Sequence, residues 1–147
     1  MKRPFVSRPD DKAIERAIMT AKLYPLMSNA KWVKLIAVLI ANRDLIQACK
    51  VKLIWEDVDV DRWLLIGEET SYQFDYYANA MEAMITGTPR LGWTVYKEIE
   101  WLDFPRFPRD TGEAQELHTI QFKIEEVGHF QIDASADNSR LYAYRRP

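Results

Sequence analysis

The sequence predicts an α+β fold in which N-terminal helices pack on a small, mainly antiparallel sheet, with a further helix before a C-terminal β-hairpin. Three observations predict it. Apolar residues recur at helical spacing near the N-terminus, the middle of the chain alternates apolar and polar residues with period two, and the last segment holds two short alternating runs about a polar turn.

Asp10 and Asp11 can cap a first helix, in which Ala13, Ile14, Ala17, Ile18 and Ala21 recur until Pro25 stops it. Ser28 or Asn29 can start a second, because Trp32, Leu35, Ile36, Leu39 and Ile40 fall on one stripe before the polar break at Asn42. Ala48 to Glu56 alternates around Val51, Leu53 and Trp55. With the short run Trp63 to Ile66 it reads as a hairpin across the acidic turn Asp57 to Asp61. The stretch from Tyr72 to Thr86 mixes strand-favouring aromatics with alanines, and a short helix is expected from about Ala78. Gly87, Pro89 and Gly92 then mark a loop. Trp93 to Phe104 reads as one strand ending at Pro105. Between Asp110 and Val127 strand and helix periods compete. The capping-box spacing of Asp110 and Glu113, and Gly128 at the place of a left-handed terminator, favour a helix that accommodates Phe122 worst. His129 to Ala134 and Arg140 to Arg145 form the closing hairpin.

With 147 residues, 48% hydrophobic and 29% charged, the chain has the size and composition of one globular domain. Such a domain buries roughly two-thirds of its unfolded surface. A lone cysteine, Cys49, forms no internal disulfide, no secretory leader is evident, and the longest apolar run, Leu35 to Ala41, is far short of the roughly 20 residues that span a bilayer. A cytoplasmic protein with no membrane association is expected.

The net charge of −2 conceals a strong asymmetry. Residues 1–54 hold 11 Lys/Arg against 4 Asp/Glu, residues 55–103 hold 3 against 11, and the remainder 6 against 7. An acidic middle can steer a basic partner. The pI of about 5.7 argues against direct nucleic-acid binding, even with the arginines at 106, 109, 140, 145 and 146.

Asp57, Asp59 and Asp61, with Glu68 eleven residues after Asp57, match the acidic spacing of a calcium loop. Arg62 replaces the glycine such a loop needs, and strands rather than helices flank it, so an acidic hairpin tip or binding surface is the better reading. His118, His129 and Cys49 form no close-spaced pair of zinc ligands, no glycine-rich phosphate loop is present, and no cofactor is expected. Glu98, Glu100 and Asp103 lie along the strand that ends at Pro105. Such acids can do acid–base chemistry in a cleft, but are ordinarily the wet face of a sheet. The tryptophans at 55, 63, 93 and 101, with Tyr72, Tyr76 and Tyr77, exceed what a core of this size must hold. Surplus Trp and Tyr is what interfaces use as anchors.

Three short motifs carry a family resemblance: Asn29, Lys31, Trp32 and Leu35 (NAKWVKL); Tyr96, Ile99, Glu100, Trp101 and Leu102 (YKEIEWL); and Arg140, Tyr142 and Tyr144 (RLYAYR). From Met27 to Arg145 the chain resembles an uncharacterised family of small bacterial proteins that look like immunity or accessory proteins from polymorphic-toxin neighbourhoods. The resemblance assigns no residue a role, and residues 1–26 read as an N-terminal extension of a single domain. It implies a protein-binding inhibitor that occludes the active site of a toxin or nuclease. Asp57, Asp59, Asp61, Glu68 and Glu69 would attract a basic partner, and Trp63 or Tyr76 would anchor it. A small carboxylate-dependent enzyme and a structural or accessory homo-oligomer subunit are the alternatives.

Overall fold

The computed structural model describes residues 9–46, 49–57, 60–67, 70, 79–108 and 113–147. Asp10 opens helix α1 (Asp11–Thr20) by accepting a hydrogen bond from the Ala13 amide at 2.8 Å, and the helix turns Ile14 into the core. It ends where Lys22 takes φ 55°, which lets the Leu23 amide reach back to the Ile18 carbonyl. A two-residue strand, β1 (Tyr24–Pro25), follows. Ser28 caps α2 (Asn29–Ala41), whose stripe of Trp32, Leu35, Ile36 and Leu39 is buried as its spacing predicts.

The remaining elements are β2 (Cys49–Leu53), β3 (Trp63–Leu65), β4 (Ala80–Ile85), β5 (Leu91–Val95), a 3₁₀ turn (Tyr96–Glu98), β6 (Ile99–Pro105), α3 (Leu117–Glu125), β7 (Gln131–Ala134), β8 (Asn138–Tyr142) and β9 (Tyr144–Arg145). Seven strands form one antiparallel sheet in the order β5-β4-β3-β2-β6-β8-β7, and β1 pairs with β9. The fold is α+β, as expected.

Period-two alternation divides this sheet into two faces. One carries the register rows Leu91, Ile85, Leu64, Cys49 and Val51, Leu102, Leu141, Ile132, and joins the helices in a single apolar core. Ile14 of α1 belongs to that core, and Lys97 holds α1 through Glu15 at 2.8 Å.

Three expectations are corrected. The segment from Ala80 is a strand, not a helix, because Met81, Ala83 and Ile85 point inward and the strand pairs on both sides, which outweighs the helix preference of its alanines. Trp93 to Phe104 is two strands, broken where the Glu98 carboxylate accepts from the Val95 amide at 2.9 Å and closes the 3₁₀ turn. The third helix begins at Leu117, because Gln115 is pinned to the end of β6. Its amide donates to the Arg106 carbonyl and its side chain to the Pro105 carbonyl, both at 2.7 Å. Glu113 is therefore outside the helix, and Asp110 lies outside the described residues. Gly128 is not left-handed, since the helix ends on Glu126 in the right-handed region. Phe122 points to solvent.

Arg62 fixes the junction of β2, β3 and the β4–β5 turn. It is fully buried, pairs with both Glu56 oxygens at 2.6 Å, and donates to the carbonyls of Thr86 (3.2 Å) and Pro89 (2.8 Å). Gly87, at φ +123°, lets the turn close over it, for a Cβ there would stand 2.7 Å from Arg62 Nη1. Gly87→Ala is expected to cost about 1–3 kcal/mol in urea unfolding. Arg62→Met, which strands Glu56, should cost about 3 kcal/mol or more. Losses within about 0.5 kcal/mol, the range of ordinary surface substitutions, would show that the latch is not needed.

Candidate functional site

The sheet face turned away from the core is built from two unlike halves. Across β3, β2, β6, β8 and β7 runs the register row Trp63, Lys50, Asp103, Arg140, Asp133, in which the charges alternate in sign. Asp103 accepts from Arg140 Nε at 3.2 Å and from the Asn138 side chain, while the Arg140 guanidinium lies 3.7 Å over the Trp101 ring. The next row holds Lys52, Trp101, Tyr142 and Gln131. Its buried Lys52 donates to Glu100 at 2.7 Å. This half is neutralised from within.

The other half, on β3, β4 and β5, is apolar. Leu65 faces Met84 and Trp93 faces Glu82 across adjacent strands, with Leu65 50%, Met84 36% and Trp93 37% exposed. Leu65, Met84 and Glu82 border a depression of ≈ 310 Å³ that Ala83 and Gly92 also line. Asp61 accepts from Trp63 Nε1 at 3.0 Å and lies 3.7 Å from Lys50, whose ammonium also sits 5.5 Å over the Trp63 ring. Asp57 is exposed, and neither it nor Glu82 has a cationic partner among the described residues. Of the basic residues near this end, Arg62 is occupied in its latch and Lys97 on α1, while Arg90 in the β4–β5 connection is exposed.

Of the residues expected to bind a partner, Asp61 and Trp63 meet at the edge of this face, whereas Asp57 lines a separate depression with Lys52, Glu100 and Arg146. Asp59, Glu68, Glu69 and Tyr76 lie outside the described residues. The sequence reading missed Leu65, Met84 and Glu82. Reading a helix from Ala78 hid them, whereas the alternation of Met81, Ala83 and Ile85 against Glu82 and Met84 would have exposed them.

The acids beside and along β6 are not a wet face. Glu98 is buried and accepts from Trp55 Nε1 at 2.8 Å as well as from Val95. Glu100 takes Lys52 on Oε1 and a two-pronged pair from Arg146 at 2.7 and 2.8 Å. A kink in register between Lys52 and Leu53 sets Glu98 and Glu100 in separate surroundings. The resemblance motifs prove to be framework: Trp32 stacks on Tyr96 with centroids 5.4 Å apart, and the Tyr144 hydroxyl donates to the Lys97 carbonyl at 2.7 Å. The Cys49 thiol is buried, and burial pushes its pKa well above the ordinary range, which disfavours the reactive thiolate. Among the described residues no three His, Cys, Asp or Glu side chains gather as a metal site, and no helix is long and apolar enough to cross a membrane. The chain matches no family model, no curated protein and no solved structure.

Burial alone would raise the Glu100 pKa, but its bonds to Arg146 and Lys52 outweigh burial and hold it below the usual 4.5. A carboxylate whose folded pKa is depressed contributes stability above its unfolded pKa and loses it as pH falls through the folded value. The gap in unfolding free energy between wild type and Glu100→Gln should therefore be full near neutrality. It should narrow as pH drops below about 4.5, read by urea titration at stepped pH. A gap constant down to pH 3 would contradict the pairing.

Proposed function

We propose that this chain is a protein-binding inhibitor of the immunity type, which occludes a basic partner with the β3–β4–β5 end of its sheet. The observation that carries this reading is the exposed apolar cluster of Leu65, Met84 and Trp93 beside Glu82, with Asp61 held next to Trp63 on the same end of the sheet. An apolar centre with a charged rim is the ordinary anatomy of a specific interface. The apolar centre excludes water, and the acids set the encounter rate and the sign of the partner's charge. The resemblance to immunity-type families agrees with it.

The same rim disfavours self-pairing. In a two-fold dimer through this face each patch meets its own copy, so acids would be brought against acids. A toxin nuclease, whose substrate groove is basic, is the partner chemistry such a surface suits.

The test compares what the immobilised chain and two double variants retain from extracts of the encoding organism. The wild type should hold one stoichiometric partner with a basic surface, released by salt. Leu65→Asp with Met84→Asp should lose it while keeping the wild-type circular dichroism. Asp61→Lys with Glu82→Lys should slow association by about tenfold at low salt. The same partner held equally by both variants, or recovery of the chain bound only to itself, would overturn the proposal.

A further inference from the structure

We propose that the depression between β9 and the β8–β7 hairpin binds a small organic anion, a carboxylate or phosphate head carried on an apolar ring. Its volume of ≈ 360 Å³ falls in the range of small-molecule sites, and Leu26, Tyr142 and Tyr144 supply apolar wall. It lies at the opposite end of the sheet order from the apolar face on β3, β4 and β5, and does not depend on it.

The charges in this depression do not cancel. Among its described lining residues Glu100 is the one acid against two cations, Arg145 and Arg146, and the Glu100 carboxylate is further paired with Lys52 outside the lining. The Arg145 guanidinium is held 4.7 Å over the Tyr24 ring with no acidic partner among the described residues. Stacking fixes that guanidinium without consuming its donors. The pair to Glu100 uses Nε and Nη2 of Arg146, orienting the guanidinium and leaving Nη1 for a ligand. Burial, reinforced by the charge of Glu15, pushes the Tyr144 phenol up to about 12, so that wall stays neutral at working pH. An anion entering here meets two oriented guanidinium groups, and charge-assisted bonds from arginine to carboxylate or phosphate are the strong class. The neighbouring depression of ≈ 610 Å³, beyond Arg146, is lined by Glu56 and Asp57 besides Glu100 and lacks this positive balance.

Heteronuclear NMR on the ¹⁵N-labelled full chain tests the proposal, with benzoate, phenyl phosphate, inorganic phosphate and neutral benzyl alcohol as probes. Benzoate or phenyl phosphate should give saturable shifts at the amides of Gln131 and Tyr142 to Arg146, and whichever saturates first identifies the head group. Benzyl alcohol and inorganic phosphate should bind at least about tenfold more weakly, each lacking one half of the recognition. Arg145→Gln, at an exposed position outside the core, should keep the fold and lose at least about tenfold in affinity. The proposal fails if neither ring anion saturates by about 10 mM. It fails equally if inorganic phosphate binds as well as phenyl phosphate, or if Arg145→Gln binds as the wild type does.

Discussion

A guanidinium with no exposure to water sets the geometry on which the acidic end of this molecule depends. Taking Arg62 out of solvent costs several kcal/mol, and the cost is met only if its charge and donors are matched where it lies. The match is specific: both oxygens of Glu56, two carbonyls of the β4–β5 turn, and the Trp55 ring at 5.8 Å. A hydrophobic side chain of equal size could fill the space, and buried ion pairs are often replaceable at no loss of stability. It could not hold the turn carbonyls at one distance from the start of β3. The arginine therefore acts through geometry: it sets where Trp63 emerges beside Asp61 and where β4 lies against β3.

Beside and along β6 the same rule operates with the signs reversed. Each acid there would be costly in a dry setting, and each has been given donors of its own: an indole and a backbone amide for Glu98, an ammonium and a guanidinium for Glu100, an amide side chain and a guanidinium for Asp103. A catalytic carboxylate pair needs two acids in one cleft with unequal surroundings. These stand in three separate environments, and Glu100 lines a depression on either side of Arg146. The arrangement is that of a rigid charged ladder rather than of acid–base machinery.

Much of the fold was legible because local pattern and global packing agree. Asp10 and Ser28 cap helices in sequence and in structure, and Trp32 to Leu39 bury the predicted stripe. The failures occur where a distant contact overrides a local preference. Ala80 to Ile85 carries helix formers, yet sits between two strands that satisfy its backbone. Gln115 opposes the capping spacing of Asp110 and Glu113 by binding a carbonyl ten positions earlier. Val95 to Glu98 breaks a good strand pattern because one carboxylate reaches back to an amide. Of the site, Asp61 and Trp63 were visible as acid and aromatic residues near a turn. Leu65 and Met84 were not, since an exposed apolar residue is indistinguishable from a core residue until its strand register is known. Arg62 was read only as the residue that spoils a calcium loop; its burial could not be inferred without Glu56 and Gly87 placed around it.

The charge blocks of the sequence survive folding for a topological reason. β3, β4 and β5 follow one another in the chain and lie beside one another in the sheet, so residues close in sequence remain close in space. The acidic segment from 55 to 103 includes all three of those strands and keeps Asp61 beside β3 and Glu82 on β4, while Asp57 shares a depression with Arg146. The C-terminal arginines belong to β8, β9 and the residue after them, at the other end, and a ladder of paired charges separates the two. A fold with long crossovers would have mixed these blocks. Here the β3–β4–β5 meander keeps Asp61 and Glu82 away from Arg145 and Arg146, while Glu100 and Asp103 of the same block are paired within the sheet. The two proposed surfaces thus lie on either side of paired rows that are already satisfied, so that on these proposals occupation of one need not disturb the other.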